Sequence, residues 1–428
     1  MKICVVGLGK VGLPLAVQFA SKGHQVVGAD VNRDLVDLVN AGIEPFPGET
    51  DLASRLMEVV EAGLFSATTD TSSAASTSDV VVVVVPLFID SDGLPNFTSL
   101  DQATHSIAAG LRPGTLVSYE TTLPVGTTRT RWAPMLAARS GLKLSRDFDV
   151  VFSPERVLTG RIFSDLTRYP KLVGGLDDKS ARHGIDFYTA VLDFNQRDDL
   201  PQPNGVWDMG SAEAAELAKL AETTYRDVNI GLANQFARFA ATVGIDIEKV
   251  ISACNSQPYS HIHRPGIAVG GHCIPIYPRL YLWNDPDATV VRAAREVNSS
   301  MPAYAIELLG AAYGDLMDVP VLVLGAAYRG GVKETAFSGA FGLVDALRLK
   351  GAVPFVSDPL FSGDELRALG LPAHAGEPVR AAVIQTDHAE YRRLTPGDLP
   401  GVLVLLDGRR VTDPSAWTGV RRLVIGGE

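Results

Sequence analysis

The chain has 428 residues and a formal net charge of −11, with 46% hydrophobic and 20% charged residues. A chain of this length is too long for one ordinary core, so we expect two or three domains. The acidic balance argues against a nucleic-acid partner, although backbone amides and a few clustered cations can still bind an anionic small ligand.

The three cysteines, Cys4, Cys254 and Cys273, lack the paired spacing of a disulfide framework and indicate reduced thiols. The histidines and cysteines do not have the spacing of a zinc site, so we expect no bound metal. The sequence begins with a strand pattern instead of a signal peptide, and its longest apolar run, at residues 80–89, is too short to span a bilayer. We therefore expect a cytoplasmic protein with no membrane partner.

The N-terminal part carries a dinucleotide-binding pattern. A buried-strand pattern at 2–6 leads into a glycine-rich turn and a helical pattern that ends at Gly23, and a second strand at 25–29 ends in Asp30. The glycines allow a tight turn and the close approach of a pyrophosphate to a helix N-terminus. Asp30 can accept both ribose hydroxyls and would repel a 2′-phosphate, which favours NAD over NADP, while the nearby Arg33 weakens that preference. The turn residues expected to contact the cofactor are Gly7, Leu8, Gly9, Lys10, Val11 and Gly12.

Two further strands end in residues suited to ligand binding. The strand at 80–85 stops at Pro86, and the strand at 115–119 runs into a hydroxyl-rich turn with Thr121 and Thr122. Open α/β sheets bind ligands at the carboxyl ends of their strands, so we expect these residues near the cofactor. The alternative is an ordinary Thr-rich turn and helix cap.

A fourth strand, at 149–152, is followed closely by Glu155 and Arg156. The two side chains could form a solvated ion pair. Their place at a strand end favours a ligand contact instead.

A long Ala-rich helical pattern spans residues 211–242. At 1.5 Å per residue it would be roughly 45 Å long, which suits a link between two α/β lobes and a homodimer seam. Lys219 and Thr223 are four residues apart and share a face. Judged from the helix alone, Lys219 is better explained as an ordinary surface lysine flanked by Glu216 and Glu222.

The stretch at 264–278 contains three glycines and three prolines, which exclude the middle of a helix or strand and predict a shaped loop. The loop presents Cys273 beside His272. A thiol after a Gly-Gly turn suits a covalent nucleophile. From the loop alone, a small buried cysteine explains the pattern equally well.

The last part of the chain alternates strands and helices. A strand at 319–324 is followed by a loop with Arg329 and Lys333 and then by a helix at 337–350. This alternation predicts a second parallel sheet of the kind that binds a nucleotide, and the two cations either hold phosphates or lie on the surface. Further strands are expected at 353–356, 382–384, 402–406 and 423–425.

Together the patterns predict an α/β fold with two Rossmann-like, doubly wound parallel-sheet domains, joined by a long central helix and a helical dimerisation domain. We expect an NAD-binding domain at 1–205, a central helical domain at 206–315 and a nucleotide-binding Rossmann-like domain at 316–428.

These motifs and their order resemble the nucleotide-sugar 6-dehydrogenase family, which includes UDP-glucose and UDP-N-acetylhexosamine dehydrogenases. The resemblance covers nearly the whole chain, and GGHCIP and the AELAKL helix are among its most specific parts. The motifs are GLGKVGLP at 7–14, TTLPVGTT at 121–128, SPERVLTG at 153–160, AELAKLAETTYRDVNIGLANQ at 215–235, PGIAVGGHCIP at 265–275 and GAAYRGGVKETAFSG at 325–339.

The resemblance implies two successive NAD-dependent oxidations at C6 of a nucleotide-diphosphate hexose of the UDP- or dTDP-glucose type, giving the uronic acid. Cys273 would add to the aldehyde, and the thiohemiacetal would be oxidised to a thioester that water hydrolyses. Lys219 would stabilise the developing oxyanions and favour the thiolate. Thr122 would contact a water or a substrate hydroxyl, and Thr223 completes the implied catalytic set.

By the same resemblance, the nucleotide-sugar substrate would bind with help from the last domain, and the central helix would form a homodimer. The implied cofactor residues also include Pro86, Thr121, Thr122, Glu155 and Arg329. The implied substrate residues are Glu155, Arg156, Val157, Leu158, Lys219, Thr223, Arg264, Gly266, Gly270, Tyr328 and Lys333.

Four residues depart from the family's pattern. Many relatives have Glu at the position of Thr159, Asn at that of Thr223, Asp at that of Tyr277 and Arg at that of Ala336. The missing carboxylate at Tyr277 affects the positioning of water for hydrolysis, and the missing Arg at Ala336 affects a phosphate or cross-subunit contact. The departures are consistent with a subclass of altered nucleotide or sugar preference.

Two other interpretations stay open. A two-electron hydroxyacid dehydrogenase of the 6-phosphogluconate type would leave the cysteine loop and the last domain unexplained. An inactive nucleotide-sugar-binding protein is favoured by the departures at Thr223 and Tyr277 and opposed by the retained Cys273 and Lys219. The sugar is open among UDP-glucose, dTDP-glucose and a UDP-N-acetylhexosamine, although the RDVNI and PER segments resemble the N-acetylhexosamine branch.

Overall fold

The computed structural model describes residues 1–90 and 92–427. The chain forms two compact units, Met1–Ala221 and Glu222–Glu428, and the division falls inside the long helix. The three-part division at residues 205 and 315 stays a prediction.

The first unit is built on one eight-stranded sheet and a small hairpin. The strands are β1 (Lys2–Val6), β2 (Gln25–Ala29), β3 (Phe65–Thr68), β4 (Val80–Val83), β5 (Phe88–Ile89), β6 (Pro95–Asn96), β7 (Leu116–Tyr119), β8 (Asp149–Phe152), β9 (Lys171–Gly175) and β10 (Val206–Asp208). The helices are α1 (Gly12–Ser21), α2 (Arg33–Asn40), α3 (Leu52–Glu61), α4 (Thr71–Ser76), α5 (Thr98–Gly110), α6 (Ala133–Ser140), α7 (Ile162–Arg168) and α8 (Asp178–Val191), with a π-helical turn at Thr128–Trp132 before α6.

The strand order of the large sheet is β10-β9-β8-β7-β4-β1-β2-β3. The six strands from β3 to β8 are parallel, as expected, whereas β9 pairs antiparallel with β8 and β10 pairs parallel with β9. The sheet therefore continues past residue 205, which the sequence suggested as the end of the first domain. Its central strands β4, β7 and β8 are buried along their whole length, as the continuous apolar pattern of a two-sided parallel sheet requires.

The second unit holds the rest of the long helix and a five-stranded parallel sheet of order β12-β11-β13-β14-β15. The helices are α9 (Ala212–Val243), α10 (Ile247–Cys254), α11 (Tyr277–Asn284), α12 (Thr289–Tyr313), α13 (Gly339–Leu349) and α14 (Gly363–Ala368). The strands are β11 (Pro320–Leu324), β12 (Val353–Ser357), β13 (Ala381–Ile384), β14 (Val404–Asp407) and β15 (Arg421–Val424).

Strand β11 shows how this second sheet is buried on both faces. Successive side chains of a strand point to opposite faces. Val321 and Val323 belong to one apolar cluster, and Leu322 and Leu324 belong to another. This two-sided burial confirms the predicted α/β class, and both sheets have the Rossmann-like arrangement.

The helices and strands that the sequence predicts lie close to their predicted positions. Helix α9 differs from the expected 211–242 by one residue at each end. Helix α13 begins at Gly339, later than the predicted start, because Phe337 takes a left-handed φ of 51° and Ser338 caps the helix by accepting from Ala340 N–H. In the described part of the chain, the helices are too short or too polar to cross a membrane.

Candidate active site

The glycine turn after β1 is shaped for close approach. Gly7 has a φ of 92°, which favours glycine. A Cβ on Gly12 would lie 1.9 Å from the carbonyl oxygen of Gly7, so α1 can start this close to the turn only with glycine there. A Cβ on Gly9 would meet no atom of the described residues within 4 Å, which leaves the turn open at the helix N-terminus. This cradle fits the pyrophosphate of a dinucleotide.

Asp30 ties the end of β2 to this turn. Its Oδ2 accepts from the N–H of Leu8 at 2.8 Å, and its Oδ1 accepts from the N–H of Asn32 at 2.9 Å. Asn32 in turn caps α2, whose first residue is the exposed Arg33. The carboxylate is thereby held beside the glycine turn, where an adenosine ribose of NAD would lie.

The carboxyl ends of neighbouring strands bring the other predicted cofactor residues to the same edge. Strand β4 lies between β1 and β7. Pro86 follows β4, the immediate neighbour of β1, and the 121–128 turn follows β7, the next strand along the sheet. The hydroxyl of Thr121 donates to the carbonyl of Val85 at 2.6 Å, which joins the two strand ends directly. Thr122 is buried beside it. Lys10 and Val11 complete the turn ahead of α1.

A buried charge cluster lies at the next strand ends. The ammonium of Lys171 donates to Glu120 at 2.5 Å and to Glu155 at 2.9 Å, and Tyr188 donates to Glu120 at 2.7 Å. Burial raises the pKa of Glu120. Burial also opposes ionisation of Glu155, but the Lys171 ammonium outweighs it and lowers the pKa of that carboxyl. Glu155 is therefore held as an anion.

Sequence reasoning singled out Glu155 but missed Lys171 and Glu120. The only local signal was a lysine at the start of the apolar run KLVGG, which forms the fully buried strand β9. The segment after Glu155 continues with Arg156, which donates to Pro170 O at 3.4 Å, and with the partly buried Val157. Leu158 is exposed, and its N–H donates to Asp165 at 3.0 Å.

The first turns of α9 are more buried than the sequence indicated. Lys219 is 7% exposed, so the ordinary-surface-lysine explanation is wrong. Thr223, one turn further along, is also buried. Glu216 accepts hydrogen bonds from Gly126 and Thr128 of the hydroxyl-rich turn.

The cysteine loop is anchored within the second unit at both ends. The N–H of Gly266 donates to Oδ1 of Asn234 at 2.9 Å, and Asn234 donates to the buried Asn298 of α12 at 2.9 Å. At the other end, Gly271 N–H donates to the carbonyl of Ala336 at 2.8 Å.

The Gly-Gly turn of the loop packs on an aromatic ring. A Cβ on Gly270 would lie 2.6 Å from Cβ of Tyr328, and Gly271, with a φ of 91°, faces the same ring. Beside it, Nε2 of His272 lies 3.3 Å from a carboxylate oxygen of Glu334. The turn thus needs glycine, as the sequence suggested.

The loop leaves the thiol of Cys273 exposed, which excludes the small-buried-cysteine explanation. Cys4 contrasts with it, because burial inside β1 raises the pKa of the Cys4 thiol to about 12. An exposed thiol on an anchored loop is suited to attack on a substrate carbon.

Three further cationic side chains predicted to bind ligands have different surroundings. The guanidinium carbon of Arg329 lies 5.6 Å from the ring centre of Tyr328, and its buried Nε has no hydrogen-bond partner among the residues that the structure describes. Lys333 is paired with Glu365 at 2.5 Å, and Arg264 is largely exposed at 3.8 Å from Glu248. Across the described residues, His, Cys, Asp and Glu side chains form no group of three or more that could hold a metal.

Comparison with known proteins identifies the class that this fold and these residues define. The NAD-binding domain of the UDP-glucose/GDP-mannose dehydrogenase family matches residues 1–192, its central domain matches 213–300 and its UDP-binding domain matches 322–414. The chain belongs to the UDP-glucose/GDP-mannose dehydrogenase family. It is accordingly an NAD-dependent oxidoreductase that acts on a nucleotide sugar.

Two relatives and a solved structure are similar to the chain over nearly its whole length. The chain is 34% identical over 421 residues to a UDP-N-acetyl-D-mannosamine dehydrogenase of Pyrococcus horikoshii, with 96% of each chain covered. It is 32% identical to one of Methanocaldococcus jannaschii, covering 99% of this chain and 96% of the other. A solved structure of a UDP-D-ManNAc dehydrogenase from Pyrococcus horikoshii has a TM-score of 0.87 at 32% identity, covering 100% of this chain and 99% of that one.

Proposed function

We propose that this protein oxidises C6 of a UDP-N-acetylhexosamine, of the UDP-N-acetyl-D-mannosamine class, to the uronic acid. The observation that carries the four-electron chemistry is the exposed Cys273 thiol on an anchored loop. The relatives' names support the N-acetylhexosamine alternative better than the UDP- or dTDP-glucose interpretation favoured from the sequence.

The proposed reaction has three steps. In the first, the C6 alcohol loses a hydride and a proton and becomes an aldehyde. In the second, the Cys273 sulfur bonds to C6, and the resulting thiohemiacetal loses a hydride and a proton to become a thioester. In the third, water cleaves the C–S bond, which releases the acid and restores the thiol. Bound NAD accepts the hydride of each oxidation, so one sugar and one water yield two NADH.

The chain's own residues have distinct proposed roles. Lys219 stabilises negative charge on the substrate oxygen, and Thr122 and Thr223 offer hydroxyls to the substrate or to water. Glu155, held ionised by Lys171, is a proton acceptor or a substrate contact. Tyr328 would help to bind the substrate's nucleotide, and Arg329 keeps the cofactor role that the resemblance implies.

Two departures from the family's pattern bear on this proposal. Tyr277 stands where a carboxylate would position water, so hydrolysis of the thioester is the step that depends most on other groups. Ala336 contacts the cysteine loop through its main-chain carbonyl, which accepts from Gly271. That loop contact therefore does not need the missing Arg side chain.

The test is the amount of NADH formed per mole of sugar. Purified protein would be given excess NAD and a panel of UDP-N-acetylmannosamine, UDP-N-acetylglucosamine, UDP-glucose and dTDP-glucose. We expect two NADH per sugar with UDP-N-acetylmannosamine as the preferred substrate. Cys273→Ser should lower kcat by at least about 10³-fold, because the nucleophile is lost.

Cys254→Ser is the matched control, since Cys254 is a partly exposed thiol at the end of α10, and it should leave kcat within about twofold. An aldehyde analogue of the preferred sugar should form a covalent adduct on Cys273 that mass spectrometry locates. One NADH per sugar would show that the reaction stops at the aldehyde. Sugar binding without NADH would favour the inactive binding protein and refute the proposal.

We also propose that the protein is a homodimer through α9. An exposed apolar stripe in the second unit supports it, with a spacing of three, four and seven residues along the helix. A groove of about 460 Å³ between α9 and α12 adjoins the stripe at Phe239, and Tyr304 of α12 lines its other side. The stripe consists of Tyr225, Leu232, Phe236, Phe239 and Val243.

A further inference from the structure

A fully buried carboxylate joins α9 to the hydroxyl-rich turn. Glu216 accepts from Gly126 N–H at 2.5 Å, from Thr128 N–H at 3.0 Å and from the Thr128 hydroxyl at 2.6 Å. Glu216 and Thr128 are both fully buried. All of these groups lie in the first unit.

Amide and hydroxyl donors hold the carboxylate of Glu216. Glu213, one turn earlier on α9, pairs with Arg129 at 2.6 Å, and Arg129 also donates to the carbonyl of Leu176 at 3.0 Å. Burial raises the pKa of Glu216 to about 7, the three donors oppose this rise, and Glu213 adds to it. The contacts of Glu216 therefore change with protonation near neutral pH.

The turn is fastened at its other end as well. Thr121 is bound to the end of β4 through Val85, and the hydroxyl of Thr127 donates to the carbonyl of Pro124 at 2.6 Å inside the turn. Thr122 lies between the Thr121 anchor and the Glu216 anchor. Its place is thus set by two fixed points, one on the sheet and one on α9.

Lys219 follows Glu216 by three residues on the same helix, so the two lie on neighbouring positions of one rigid element. We propose that Glu216 is a positioning residue, whose carboxylate fixes the 121–128 turn and so sets Thr122 relative to Lys219. This inference rests on the proposed function, in which Thr122 and Lys219 serve the same substrate. A displacement of about 1 Å at such groups can lower a rate by about 10²-fold.

A carboxylate is required because all three partners are donors. Glutamine has the same shape but replaces one acceptor oxygen with an NH₂ group that would face a donor. Aspartate is one methylene shorter and cannot reach the turn from the same helix position. Protonation of Glu216 likewise replaces an acceptor with a donor, so the turn should loosen as the pH falls.

The test combines kinetics with hydrogen exchange. Glu216→Gln should lower kcat by about 10- to 100-fold and should weaken NAD binding by less than that, because the glycine turn and Asp30 are untouched and only Thr121 and Thr122 of the expected cofactor residues lie on the loosened turn. The acidic limb of the wild-type kcat profile near pH 7 should be absent in this variant. Amide exchange in a peptide covering 121–128 should become faster.

Glu213→Gln is the matched control and should leave kcat and exchange of the turn nearly unchanged. Thr128→Val keeps the carboxylate and removes one donor, and it should lower kcat a few-fold. Thr128→Val also tests the proposal if Glu216→Gln does not fold. A wild-type kcat in Thr128→Val would then overturn the positioning role of Glu216. A folded Glu216→Gln with wild-type kcat, pH profile and exchange would overturn it directly.

Failure of the proposed function gives a different result. It would appear as wild-type protein that forms no NADH with any sugar. Faster exchange of the 121–128 turn in Glu216→Gln would then still support the anchoring contact. Unchanged exchange would refute the anchoring contact independently of activity.

Discussion

The ammonium group of Lys171 lies 2.5 Å from Oε2 of Glu120, and their side chains are 4% and 0% exposed. The same ammonium lies 2.9 Å from Glu155. A buried ion pair gains little over an apolar replacement, but removal of one partner leaves an uncompensated charge in a dry environment. Lys171 is therefore needed because two carboxylates depend on it.

We predict that Lys171→Met lowers the free energy of unfolding by about 3–5 kcal/mol, because it leaves two buried carboxyl groups without their ammonium partner. Urea unfolding at pH 7.5 measures the change. Lys22→Met is the control, since Lys22 pairs with the exposed Asp193 at 2.7 Å, and it should cost less than about 1 kcal/mol. Adding Glu120→Gln to Lys171→Met should recover part of the loss, and no recovery would argue against direct coupling.

Glu216 predicts a pH dependence of stability with a defined sign. Its pKa is about 7 in the folded protein against 4.5 in the unfolded chain. Between these values the folded state holds the proton that the unfolded state has lost, so the contribution of Glu216 to stability falls as the pH rises from about 4.5 to 7. A difference of about 2.5 in pKa corresponds to about 3 kcal/mol.

The measurement is the difference in unfolding free energy between wild type and Glu216→Gln at pH 5, 6 and 7.5. The unfolding free energy of the wild type, relative to that of the variant, should fall as the pH rises. Glu213→Gln should give a nearly constant difference over this range, because the hydrogen bond from Arg129 lowers the pKa of Glu213 and its carboxyl is then ionised in both states above about pH 5. A flat difference for Glu216→Gln would contradict the prediction.

Asp30 should control the choice of dinucleotide. Asp30→Asn removes negative charge from the place where the ribose of NAD would lie, and it removes one acceptor for the glycine turn at Leu8. We expect kcat/KM for NAD to fall by about 10- to 100-fold and the NADP-to-NAD ratio of kcat/KM to rise at least about tenfold. Steady-state kinetics with both cofactors measures this. Asp34→Asn, an exposed change in the first turn of α2, should alter neither value by more than about twofold.

Phe239 should report on the dimer. It is 65% exposed on the apolar stripe of α9. Phe239→Asp places a charge there, and we expect light scattering at micromolar concentration to give the chain mass of 45.6 kDa in place of twice that mass. Leu349→Asp, at a residue 88% exposed at the end of α13, should leave the mass of the wild type unchanged. A monomeric wild type would refute the proposed seam.

Local patterns were sufficient where neighbouring residues carry the information. The pattern from β1 through the glycine turn to Asp30 predicts the strands and the helix that the structure has there, because a tight turn restricts which residues fit it. Helix α9 was placed within one residue at each end, because apolar residues recur along it at helical spacing. Its first turns were nevertheless assigned the wrong environment, since Lys219 is buried.

The sequence by itself thus determined the fold class, the glycine turn after β1 and the glycine-rich loop that carries Cys273, whereas the exposure of that thiol came from the structure. The tertiary structure alone decided which charges meet: Lys171 and Glu120 are 51 residues apart, and Glu216 is 90 residues from Gly126. It also decided that β9 runs antiparallel to β8. Such pairings depend on how strands and helices converge in space, and the spacing of residues along a chain carries no record of that convergence.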